Sequence, residues 1–140
     1  MLRVFDLNEA ALLTELTASV KKCRACCPWT KEQTVASFAH ELSREAQEVL
    51  DALNKNDVIN LREELGDVLW DVLMTAHIAE EQGLFTTEQI FADIVDKMKR
   101  RKPYVFEGKQ VTLEEADVLW TRAKEQEKLI NGKKNISEYG

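Results

Sequence analysis

Glycine and proline are scarce in this chain, 5 and 2 among 140 residues, and strand-like alternation of apolar and polar residues is nearly absent. Sandwiches and barrels need a reverse turn about every 8–12 residues, so this composition excludes them and predicts an all-α fold. No apolar run reaches the ~18 residues of a membrane span. The opening MLRVFDLNEAALL lacks the basic-then-apolar layout of a signal peptide. The expectation is a soluble cytoplasmic protein. Cysteine is limited to Cys23, Cys26 and Cys27, and no second Cys/His pair accompanies them, since His40 and His77 stand alone. A four-ligand zinc site would have to be shared between subunits, and reduced thiols of a cytosol-like compartment are the simpler expectation. Positive charge is also in deficit: the net charge is -6 and the pI near 5.0, which argues against nucleic acid or an anionic membrane as partner.

The chain has carboxylates in a particular arrangement. Glu45 with Glu48, and Glu64 with Asp67, are each three residues apart on predicted helices, which puts each pair on one helix face. Four such groups from two neighbouring helices make an oxygen-only set suited to Mg2+, with Mn2+ as a substitute, rather than to zinc. Solvated surface acids are the plain alternative in a chain with 25 Asp and Glu. Against it, residues 65–79 read LGDVLWDVLMTAHIA, with Asp67 and Asp71 as the only formal charges. A helix so apolar is mostly buried, and a buried carboxylate must be protonated, paired or bound to metal.

Periodicity places a core stripe on each helix: Phe38, Leu42, Ala46, Val49 and Leu53 on the first, and Leu61, Leu65, Val68, Val72 and Ala76 on the second. Glu41, Glu45 and Glu48 flank one stripe, and Glu64, Asp67 and Asp71 the other. The acids are expected to meet along one edge of the helix seam. Trp70, Leu73, Met74 and His77 occupy another face, too much apolar surface for one short chain to cover, so self-association into a dimer or tetramer is expected.

Turn signals divide the chain. Helices are predicted over about 7–22, from a Thr34 or Ser37 cap to about 53, over 58–81 ending at Gly83, from Thr86 or Thr87 to about 101, and from a Thr112/Glu115 capping box to about 130. Cys27-Pro28-Trp29-Thr30 is predicted as a loop, with Trp29 plugging helix ends. By length the chain is a single domain, 1–140, with a core over about 20–125 and a frayed polar tail from 131 to 140. The Asn135-Ile136-Ser137 sequon is read as a chance occurrence. Residues 97–102 carry five positive charges at a helix C-terminus, which suit either dipole capping or a phosphate clamp. Trp120 and Lys124, one turn apart, suit either core packing or a stacking face with a charge for a nucleotide.

Taken in order, Cys27-Pro28-Trp29-x-x-x-Gln33-Thr34, Glu45-x-x-Glu48, Arg62-Glu63-Glu64-Leu65-Gly66-Asp67, Ile78-Ala79-Glu80-Glu81, Lys97-x-x-Arg100-Arg101-x-Pro103-x-Val105-Phe106 and Trp120-x-x-x-Lys124 resemble the MazG nucleoside triphosphate pyrophosphohydrolases, over about residues 20–125. The resemblance implies an all-α, dimeric protein whose four-helix bundle is completed by dimerisation. It implies Mg2+-dependent hydrolysis of nucleoside triphosphates to monophosphate and pyrophosphate, as in clearing a nucleotide pool. Metal ligands would be Glu45, Glu48, Glu64 and Asp67. Phosphate-binding residues would be Lys97 and Arg101, and nucleotide contacts Trp120 and Lys124. Glu41 or Glu63 is the candidate for orienting the attacking water. The chain departs from the family at Arg44, where a glutamate is usual, and at Val95, where asparagine is common. Two alternatives remain open: a dUTP- or dCTP-specific pyrophosphatase of the same superfamily, and a non-catalytic helical dimer whose acids pair with its own Lys and Arg.

Overall fold

The computed structural model describes residues 4–131; the Asn135 sequon and nearly all of the polar tail lie outside them. The described residues form seven helices and no strand: α1 Val4–Cys26, α2 Pro28–Lys31, α3 Val35–Asn54, α4 Val58–Glu81, α5 Thr87–Arg101, α6 Pro103–Phe106 and α7 Leu113–Asn131. None is long and apolar enough to cross a membrane. The chain divides into two compact units, one ending at Thr87 and the other beginning at Glu88.

In the first unit α4 packs against both α3 and α1, and α1 against α2. The start of α3 is settled by a reciprocal cap: Ser37 N–H donates to Thr34 Oγ1 at 3.1 Å, and Thr34 N–H to Ser37 Oγ at 2.9 Å, satisfying two donors that a helix start leaves without partners. Asn56, at φ 54, turns the chain between α3 and α4, a left-handed position that asparagine tolerates. Asp57 then caps α4 by accepting from the Asn60 N–H at 3.0 Å. A connection of three residues makes α3 and α4 antiparallel neighbours.

Two expectations need correction. Cys27–Thr30 is not a loop. Pro28, with its preset φ, starts the one-turn helix α2, and Trp29 is mostly exposed, touching Phe38 edge-on at 5.8 Å rather than plugging a helix end. The seam faces are also rotated. Phe38, Glu45 and Ala52 are the buried residues of α3, while Leu53 is exposed. On α4 the line of Glu64, Asp71 and Ile78 is buried, as is the expected Ala76, while Leu65 and Val72 are exposed. Both lines have the seven-residue spacing of a helix–helix seam. Glu45, Glu64 and Asp71 lie in the seam itself, Glu41 and Glu48 are partly buried, and Asp67 is exposed.

The apolar core sits at one end of this hairpin, where Val20, Phe38, Leu73, Met74 and Ile78 cluster with Leu16, Cys23 and Trp70 against them. The α4 face carrying Leu73 and Met74, expected to need a second chain, is thus covered by α1. Arg24 locks the arrangement: its Nε donates to Glu81 Oε2 at 2.9 Å, and its Nη1 donates to the carbonyls of Gln33, at 2.9 Å, and Thr30.

In the second unit α5 ends before Pro103, which cannot continue a helix interior. α7 opens with the anticipated box, Thr112 N–H to Glu115 Oε2 at 2.8 Å and Glu115 N–H to Thr112 Oγ1 at 3.2 Å. Because Met74 is fully buried in the core of the first unit, Met74→Ala is expected to lower unfolding free energy by about 2–5 kcal/mol, read by urea denaturation. Loss of less than about 1 kcal/mol would contradict this placement.

Candidate metal centre

Antiparallel packing of α3 on α4 runs Glu41, Glu45 and Glu48 past Asp71, Asp67 and Glu64 in opposite order. Glu45, Glu48 and Glu64 come together, each offering an oxygen within 4.8 Å of the others. Glu45 and Glu64 are 8% exposed, and Glu45 Oε2 and Glu64 Oε2 are buried without a hydrogen-bond partner. A partnerless buried polar atom is rare, and on a carboxylate it asks for a proton or a cation. The Glu64 carboxyl is accordingly pushed up to about 7, first by burial and then by the Glu48 charge and its close contacts with Glu45 and Glu48.

Asp71 extends the strip. It is 7% exposed, its Oδ2 is likewise buried without a partner, and its carboxyl is raised to about 6 by burial, then by Glu45, Glu41 and Asp67. Sequence reading placed Asp71 in the acid stripe without assigning it a site role. The missed signal is its spacing of seven from Glu64, which puts both on one face. Among the other expected site residues, Asp67 is exposed and outside the group of three, Glu41 is partly buried and Glu63 exposed. Among the described residues, one cation touches the cluster. Arg44 contacts Glu41 Oε2, Glu45 Oε1 and Glu48 Oε1, each at 2.7 Å, and its guanidinium pKa is raised, first by the hydrogen bond to Glu41.

Within the second unit Arg101 and Trp120 are brought together. The guanidinium lies 4.8 Å from the ring centroid and donates to Glu127 Oε2 at 2.8 Å, and Lys102 Nζ lies 5.5 Å from the same ring. Glu127 is held below the usual carboxylate range, first by its hydrogen bond from Arg101. Lys97 is partly buried and Lys124 exposed. Arg101 therefore has two local partners, a ring and a carboxylate, that any phosphate must share or displace.

The fold and site define a class: an all-helical protein with a carboxylate cluster buried between two antiparallel helices. Residues 33–106, more than half of the chain, match the MazG nucleotide pyrophosphohydrolase domain, and the chain belongs to the MazG family. It is 42% identical over 100 residues to the nucleoside triphosphate pyrophosphohydrolase of Escherichia coli K12, covering 71% of this chain and 38% of that one. It is 35% identical over 138 residues to the nucleoside triphosphate pyrophosphohydrolase/pyrophosphatase MazG of Thermotoga maritima, covering 96% and 51%. The fold is similar to the crystal structure of a mazG-related protein from Thermotoga maritima, with TM-score 0.75 and 32% identity over 80% of this chain and 98% of that one. The chain spans about half or less of the length of these curated relatives.

The raised carboxyls set a pH dependence. A carboxyl whose pKa is higher folded than unfolded stabilises the fold below its unfolded pKa, and that stability is lost as pH rises through the folded value. For Glu64 the window runs from its ordinary 4.5 to about 7, and for Asp71 from 3.8 to about 6. Melting temperature in EDTA is expected to fall as pH rises from about 4 to 7, and Glu64→Gln should flatten that fall. Mg2+ should restore stability most at pH 7 and above, where the carboxyls are ionised. A flat profile in EDTA would contradict the buried acids.

Proposed function

We propose that this protein is a divalent-metal-dependent pyrophosphohydrolase that converts nucleoside triphosphates to monophosphate and pyrophosphate. The observation that carries this reading is the pair of partnerless buried oxygens, Glu45 Oε2 and Glu64 Oε2, facing Glu48 in an all-oxygen set. Their hardness and charge fit Mg2+, and Mn2+ as its substitute. The names of the relatives support the same reaction. Bound Mg2+ would supply charge neutralisation at the phosphates and acidify an attacking water.

Glu45, Glu48 and Glu64 are the proposed ligands, with Asp67 joining from the open side of α4. Glu41 and Glu63 remain the candidates for orienting the water. In the second unit, Lys97 and Arg101 are the proposed phosphate-binding residues, and Trp120 and Lys124 the proposed nucleotide contacts. Glu127 and the Trp120 ring hold the Arg101 guanidinium until a phosphate takes over as partner. We assign the protein to the cytoplasm, with its nucleotide substrate, and propose no nucleic-acid or membrane partner.

Self-association into a homodimer or tetramer belongs to the same reading. Leu65, Leu69 and Val72 on α4, with Leu50 and Leu53 on α3, form exposed apolar stripes that a second copy would cover, making four helices from two hairpins. Sedimentation at micromolar concentration should show an oligomer that Leu69→Glu disperses. A monomeric wild type would refute it.

The catalytic test is release of monophosphate and pyrophosphate from each common NTP and dNTP with Mg2+. Glu45→Gln and Glu64→Gln are expected to reduce kcat/KM by roughly 10²–10³-fold while helix content is kept, and Asp67→Asn to do likewise. Wild-type turnover in Glu45→Gln or Glu64→Gln would overturn the assignment. Release confined to dUTP or dCTP would select the narrower enzyme.

A further inference from the structure

Trp120 and Glu127 stand seven residues apart on α7, two turns along one helix face, and both meet Arg101, the last residue of α5. The guanidinium lies over the Trp120 ring, 4.8 Å from its centroid. Its Nη2 donates to Glu127 Oε2 at 2.8 Å and its Nε to Glu127 Oε1 at 3.4 Å. The two partners use different parts of the group. Glu127 takes the in-plane Nε/Nη2 edge, and the ring takes a face of the planar fork. The side chains of Arg101 and Glu127 are only 16% and 18% exposed, which shields the pair from the screening that weakens ion pairs in open solvent.

Further positive charge collects at the same place. Lys102 Nζ lies 5.5 Å from the Trp120 centroid, and Arg100 Nη2 reaches Glu127 Oε1 at 3.4 Å. Arg100, Arg101 and Lys102 thus converge on one ring and one carboxylate, a surplus of positive charge that suits a multiply charged anion. An incoming phosphate competes with Glu127 for the donor edge and can use the guanidinium N–H groups that Glu127 leaves. It does not compete with the ring. A base stacking on the ring, by contrast, would meet the guanidinium on the face that Arg101 covers.

We propose that Trp120 acts at the phosphate end of the substrate and not on its base. It is a positioning residue that supports the Arg101 guanidinium through its ring, with Glu127 as the resident anion that aligns the donor edge. This rests on the reading of Arg101 as a phosphate-binding residue and deepens it, because it makes Trp120 indifferent to the base and extends recognition to a phosphate chain that carries no base.

The test uses inorganic tripolyphosphate, titrated by calorimetry into the full chain with Mg2+, alongside kcat/KM for purine and pyrimidine triphosphates. Wild type is expected to bind tripolyphosphate. Trp120→Leu removes the aromatic face and is expected to weaken tripolyphosphate, and to lower kcat/KM for purines and pyrimidines alike, by a common factor of roughly ten. Trp120→Phe keeps a face and should recover most of the loss. In an Arg101→Ala background Trp120→Leu should cost nothing further, since the cation it supports is gone. Should Trp120→Leu fail to fold, Trp120→Phe carries the test, and its smaller loss must be equal for purines and pyrimidines. Unchanged tripolyphosphate binding in Trp120→Leu, a greater loss for purines than for pyrimidines, no recovery in Trp120→Phe, or additive losses in the double variant would each overturn the proposal. If wild type does not bind tripolyphosphate, or Arg101→Ala binds it as wild type does, the phosphate reading of Arg101 falls instead, and this inference with it.

Discussion

Burial of carboxylates in a helix–helix seam is the constraint on which the first unit depends. Glu45 occupies the seam position between Phe38 and Ala52, and Glu64 and Asp71 precede Ile78 at the same spacing. Where two helices meet, such positions normally hold apolar side chains. Charges there lose solvation and repel one another, so the acid stretch of the α3–α4 contact opposes closure of the hairpin. Stability has to come from elsewhere. It comes from the far end, where α1 lays Val20 and Leu16 over Leu73, Met74 and Ile78, and from Arg24, which binds α1 to Glu81 and to the turn after α2.

This division accounts for what sequence reading recovered and what it did not. Helix positions were legible because caps are local. Asp57, Thr112 with Glu115, and Pro103 each act on their own turn, and nothing distant alters that chemistry. α2 was missed because Pro28 is both a loop residue and a favoured first helical residue, and the three helical residues that follow it give too little periodicity to decide.

The seam faces were harder. Residues 65–79 are apolar nearly all round, so a 3.6-residue period fits more than one face, and a rule placing apolar residues inside picks Leu65 and Val72. The structure buries Glu64 and Asp71 instead. That choice opposes local hydrophobicity, as expected where function rather than stability selects the residues. The cluster of Glu45, Glu48 and Glu64 was legible from i,i+3 spacing. Asp67, expected with it on the same argument, is exposed and outside the group of three. Asp71, seven residues along, returns to the Glu64 line.

The imbalance of charge in the seam also connects stability to ligand binding. A cation that binds the folded cluster finds no such arrangement in the unfolded chain, so its binding energy adds directly to folding. The more the empty cluster repels itself, the larger that contribution becomes. Arg44 moderates it, since a guanidinium already neutralises part of the strip in the absence of metal. An arginine is suited to this position because its planar fork reaches three carboxylates at once and keeps its proton at any physiological pH. The acids at Glu45 and Glu64 keep bare oxygens regardless. The same helices therefore carry a site that is partly neutralised by the chain itself and completed only from outside.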